Sequence, residues 1–219
     1  MTDTSEPIRH HLTDDILMAY SAGSLPEAFS LVVATHISLC DECRAQAGAF
    51  DAIGGALVGQ AEAAPLSADC LERTLARIAG AATATDRAPP PRPGVFPAPL
   101  RDYVGGDLDA VRWRSVGMGV RQAILPAAKG ATVRLLSIPA GAAMPDHGHW
   151  GRELTLVLKG AFRDEGGRYG RGDVEVAGEG LEHRPVAETG EDCICLAATD
   201  APLRFRDWLP RLAQPFLRI

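Results

Sequence analysis

The 219-residue chain lacks any apolar run approaching the ~20 residues needed to cross a bilayer, so a helical membrane span is not expected. Met1 to His11 is polar and carries no hydrophobic core of an export signal, which predicts a cytoplasmic location. Cysteine is sparse, at five residues, and in a reducing compartment such thiols serve metal or redox roles rather than structural disulfides. No internal repeat is present. Positive charge is scarce in the first part: residues 1–80 carry 11 acidic and 4 basic side chains, a net of −7. The remainder carries 17 and 18, a net of +1, which together give the whole-chain −6. An acidic first part argues against direct nucleic-acid binding and for a basic protein partner.

What is there divides in two. Composition, at 46 % apolar and 23 % charged, is that of a globular protein long enough for two small domains. Residues 81–99 hold 6 of the 16 prolines and read as a semi-extended linker that lets the flanking parts move with some independence. Before it the pattern is helical. Thr13 is placed to cap a first helix ended by Gly23, and Ser24-Leu25-Pro26-Glu27 reads as a capping box for a second. A third helix is expected from Asp41 towards Ile53, and a fourth from Ala68 to Ile78. After residue 99 short β-rich runs follow at 120–125, 132–138, 154–158, 173–177, 193–198 and 203–205, which suit a barrel or sandwich. The expected fold class is therefore α+β, with a helical domain over 1–80 and a β domain over 100–219.

The second half carries Gly141-x5-His147-x-His149-x3-Glu153-x6-Gly160, followed by Gly180-x2-His183. His147 and His149 are two apart, so on a strand both rings point to one face. Three imidazoles and a carboxylate nearly fill the shell of zinc, manganese, iron or nickel. This spacing resembles the first motif of the cupin superfamily. The second cupin motif is only partly met, with Gly178 in place of the usual proline and Ala187 in place of asparagine. The resemblance implies an antiparallel β-barrel with a metal on His147, His149, Glu153 and His183. Fold alone does not give chemistry, and a metal-dependent cupin dioxygenase or isomerase is the rival reading.

In the first half, His36-x3-Cys40-x2-Cys43 puts an imidazole and a thiol one helical turn apart, with a second thiol close by. Two thiolates and an imidazole favour zinc, and His11 or His10 is the natural source of a fourth ligand. The arrangement resembles the zinc-binding anti-sigma domain, a bundle of about four helices. With a cupin behind it, the order is similar to ChrR-type anti-sigma factors. The likeness runs well beyond the ligands themselves, through 29–36, 120–125, 193–205 and 209–219. It implies an N-terminal zinc on His11, His36, Cys40 and Cys43, a second metal in the cupin, and a one-to-one partner that is a sigma factor of the extracytoplasmic-function type. It also implies a regulator rather than an enzyme, one that releases its partner under singlet oxygen or related oxidants. Cys193 and Cys195, two apart on a predicted strand, share a face and are candidate redox sensors.

Overall fold

Residues 6–80 and 94–205 are described by the computed structural model. An extended arm, residues 6–12, leads into α1 (Asp14–Ser21), α2 (Glu27–Ile37), α3 (Asp41–Gln60) and α4 (Cys70–Gly80). After residue 94 come α5 (Ala98–Val104) and a short 3-10 turn, Leu108–Ala110. The strands are β1 (Arg114–Gly117), β2 (Val120–Leu125), β3 (Thr132–Ile138), β4 (His147–His149), β5 (Glu153–Lys159) and β6 (Phe162–Asp164). They continue with β7 (Gly167–Tyr169), β8 (Val174–Ala177), β9 (Glu182–His183), β10 (Val186–Ala187), β11 (Cys193–Thr199) and β12 (Leu203–Phe205).

Local chemistry explains the helix ends. Gly23, at φ +67°, closes α1 in a Schellman arrangement: Ser24 N donates to Ala19 O at 3.0 Å and Gly23 N to Tyr20 O at 2.9 Å. The Ser24 hydroxyl is spent on the same Ala19 carbonyl, at 3.0 Å, so the expected capping box does not form. Glu27 turns outward instead. It accepts from the Tyr103 hydroxyl at 3.0 Å and from Ala128 N at 2.6 Å, tying α2 to the second half of the chain. Cys40 caps α3, its Sγ accepting from Cys43 N at 3.5 Å. Gly54 and Gly55 do not stop α3, which runs on to Gln60. α5 was not expected: its first residues fall inside the stretch read as linker, of which 81–93 lies outside the described residues.

All the strand pairs are antiparallel. One six-stranded sheet has the order β1-β2-β3-β11-β5-β8, and two three-stranded sheets have the orders β10-β6-β7 and β12-β4-β9. Side chains of the large sheet alternate between two environments. Val133, Leu135, Leu154, Leu156, Leu196 and Ala198 join a core with Phe29, Val32 and Val33 of α2, and with Phe96 and Leu100. Cys193, Cys195, Val157 and Ile138 face the other way, towards Phe162, Tyr169 and Ala187 of the small sheets. Covered on both faces, β5 and β11 are buried almost throughout, which is why they read as unbroken apolar runs.

This is a cupin-like arrangement of antiparallel sheets with helices laid on it. The expected freedom between the two parts is not what the described residues show. α2 lies on the outer face of the large sheet, because that face is apolar and would otherwise meet water. α1, α2 and α3 touch one another, whereas α4 buries no residue.

Two candidate metal centres

The ligand atoms of His11, His36, Cys40 and Cys43 all lie within 4.8 Å of one another. His11 presents Nδ1, 3.3 Å from Cys40 Sγ and 3.7 Å from Cys43 Sγ. A tetrahedral zinc at about 2.3 Å from sulfur and about 2.0–2.1 Å from nitrogen sets such edges at about 3.6 Å. His36 is fully buried, and its Nδ1–H donates to the Gly172 carbonyl at 2.9 Å. That bond leaves Nε2 as a bare lone pair, and this atom is buried with no hydrogen-bond partner. An orphaned imidazole nitrogen beside two buried thiols is the donor set of a metal ligand, and the residues fit zinc. Burial is the largest cause that pushes the Cys43 thiol up to about 11 and the His36 imidazole down to about 4, so without a metal both side chains are held neutral near pH 7. His10, the alternative to His11, is used elsewhere: its Nε2 bonds the Arg168 carbonyl at 3.1 Å and its ring packs on Tyr169 at 4.2 Å.

The second cluster forms where β4 pairs with β9 and sets His147 opposite His183. Nε2 of His183 is 3.1 Å from Nε2 of His147 and 3.2 Å from Nε2 of His149. These separations are close to the nitrogen–nitrogen edge, about 3.3 Å, of a tetrahedral ion with bonds of 2.0–2.1 Å. The outer nitrogens fix the inner ones. His147 Nδ1 bonds the Pro145 carbonyl at 2.9 Å. His183 Nδ1 bonds Asp164 at 2.9 Å and Glu175 at 2.8 Å, so its Nε2 is turned to the cluster. Neutral rings held this way aim lone pairs at one another, and a cation between them removes the repulsion. Burial would lower His183, but its bonds to Glu175 and Asp164 outweigh that and hold it at about 9, so without a metal a proton does the work. Burial raises Glu175 to about 7. Burial also depresses His147 and His149, which keeps them neutral ligands.

Glu153 lies beside the trio rather than within it. Its Oε2 is 3.9 Å from His149 Nδ1, and its Oε1 accepts from the Thr155 hydroxyl at 3.1 Å. The carboxylates that grip His183 were missed in the sequence. Asp164 and Glu175 stand 19 and 8 residues from it and arrive by strand register. Glu153, Glu175, His147 and His183 line a cavity of about 400 Å³, together with the buried Arg134 and the apolar Leu136, Met144 and Phe162.

Cys193 and Cys195 are buried side by side, with Sγ atoms 3.5 Å apart. Their mutual hydrogen bond and then burial push the Cys195 thiol well above its ordinary value. A protonated, enclosed thiol reacts slowly with oxidants.

Comparison with known proteins covers nearly the whole chain. Residues 102–202 match the family described as the ChrR cupin-like domain. The chain is 60 % identical to the anti-sigma-E factor ChrR of Cereibacter sphaeroides, over 97 % of this chain and 99 % of that protein. It is also similar to a chain in the crystal structure of Rhodobacter sphaeroides SigE in complex with the anti-sigma ChrR, with 58 % identity and a TM-score of 0.78. That match covers 89 % of this chain and all of the other. With such identity from arm to final strand, this chain belongs to the ChrR family of anti-sigma factors.

Proposed function

We propose that this protein binds and inhibits a sigma factor of the extracytoplasmic-function type, one to one, and that it is a regulator without catalytic turnover. The observation that carries this reading is the bare apolar face of α3 and α4. Ile53, Leu57 and Val58 on α3, and Leu71, Leu75 and Ile78 on α4, are each more than half exposed. α4 is amphipathic yet buries nothing, and an apolar surface of this kind on a soluble protein marks a binding site. The net charge of −7 over residues 1–80 suits a basic partner. In the related crystal structure, SigE is in complex with the anti-sigma ChrR.

In this reading the domain of residues 1–80 grips the sigma factor, 81–99 joins it to the cupin domain of 100–219, and zinc on His11, His36, Cys40 and Cys43 sets the joint between arm, α2 and α3. A divalent metal on His147, His149 and His183, with Glu153 as the expected fourth ligand, builds the cupin centre. The cupin domain then serves release under oxidants such as singlet oxygen. Burial of Cys193 and Cys195 weighs against direct attack on those thiols. The test is co-expression with an extracytoplasmic-function sigma factor, followed by light scattering and elemental analysis. A 1:1 complex with two metal ions per chain supports the reading. Failure to form a complex, with turnover of a small-molecule substrate by the cupin centre, restores the enzyme.

A further inference from the structure

The N-terminal metal cluster does not set its own ligands. Two of the four, His11 and His36, are held by one turn of the β domain, residues 170–173 between β7 and β8. Asp173 is buried, and its Oδ1 accepts from Arg9 N at 2.6 Å and from His10 N at 2.9 Å. Its Oδ2 accepts from Gly170 N at 2.8 Å, which shapes the turn. Val174 N then donates to His10 O at 3.2 Å, so the arm lies against the start of β8 immediately before His11. One residue back, the Gly172 carbonyl accepts the one hydrogen bond that the His36 ring makes among the described residues, at 2.9 Å. Gly172 is itself required: φ is +91°, and a Cβ there would stand 2.7 Å from Ile8 Cδ1 in the arm.

From this geometry we infer that Asp173 and the Gly172 carbonyl are positioning groups of the N-terminal metal site, supplied by the cupin domain. The inference rests on the proposed assignment of that site to His11, His36, Cys40 and Cys43. Physically, the carbonyl selects the His36 tautomer and aims Nε2 at the thiols, while Asp173 fixes the backbone that delivers His11 Nδ1. Charge-assisted bonds to two successive amides hold that backbone more firmly than neutral bonds would. The zinc site is thus built from both halves of the chain.

The test uses the full chain loaded with cobalt(II), whose thiolate charge-transfer band reports the N-terminal site and not the histidine cluster of the cupin. Wild type is compared with Asp173→Ala, Asp173→Asn and Gly172→Ala. Loss of an outer-shell partner weakens a metal site by about 10- to 100-fold, so Asp173→Ala and Gly172→Ala should release cobalt to a chelator faster by about that factor, with a shifted band. Asp173→Asn keeps an oxygen for Arg9 and His10 and should fall between them and wild type. Wild-type spectra and release rates in both Asp173→Ala and Gly172→Ala overturn the inference. If Asp173→Ala also loses the cupin metal, Asp173→Asn decides, and unchanged release there overturns it. Absence of the thiolate band from wild type would sink the site assignment itself, and this inference with it.

Discussion

Serine at Cys40 separates the metal from the helix it adjoins. Cys40 does two things: its Sγ is one of four converging ligand atoms, and it caps α3 by accepting from Cys43 N. Serine is a strong N-cap, so Cys40→Ser keeps the cap and removes the thiolate. Structural zinc sites bind with apparent free energies of about 10–16 kcal/mol, so one ligand in four is worth about 2.5–4 kcal/mol, an affinity loss of about 60- to 700-fold. That is a large share of the about 5–15 kcal/mol that holds a domain folded. The damage should be uneven. α2 is anchored by Phe29, Val32 and Val33 in the core it shares with the sheet, whereas the helix contacts of α1 and α3 are with each other and with α2. Competition with a chromophoric chelator gives the affinity, and hydrogen exchange gives the local stability. We expect fast exchange in α1 and α3, slow exchange in α2, and loss of the sigma factor on gel filtration. Wild-type zinc affinity in the variant, or α2 exchanging as fast as α1 and α3, refutes the reasoning.

Three more outcomes are expected. His149→Ala should lower metal content by one ion per chain while the sigma factor still co-elutes; loss of both ions would show that the two centres are not separable. Leu71→Glu with Leu75→Glu on the exposed face of α4 should weaken the complex at least about 100-fold without changing the circular dichroism of the free chain, since neither side chain is buried, and unchanged affinity would remove α4 from the interface. In metal-free protein, pH should act in two directions. His183, held at about 9 against an ordinary value near 6.5, lends stability that is full below pH about 6.5 and is lost as pH rises through about 9. His36, depressed to about 4, lends stability that is present above about 6.5 and is lost as pH falls towards 4. Denaturant midpoints of chelated protein should therefore peak near neutrality, and a midpoint still climbing at pH 9 would contradict the His183 assignment.

Much of the two candidate centres was legible because most of the residues that converge there are close in sequence. His147 and His149 share a strand face, and His36, Cys40 and Cys43 sit at one helix junction, so spacing alone brings them together. The strands from 120 to 205 were legible from their runs, although β5 and β11 gave no alternation because both of their faces are covered. What the sequence could not reveal arrives through long-range register. Asp164 and Glu175 meet His183 only after β6, β8 and β9 have been set side by side. Gly172 and His36 are 136 residues apart, and a backbone carbonyl carries no residue-type signal. α5 was hidden by the prolines around it. The Ser24 capping box failed for a local reason, the competing carbonyl of Ala19. The packing of α2 on the sheet needed the apolar outer face of that sheet to be known first.

The uncovered α4 has a consequence for the life of the molecule. Residues 61–69, which join α3 to α4, are exposed along their whole length, and the helix beyond them has no buried side chain to hold it. Cleavage by a protease depends on how often a segment opens, and a helix without tertiary contacts opens readily. If the sigma factor covers α4, as proposed above, proteolysis of this segment should be faster in the free chain than in the complex.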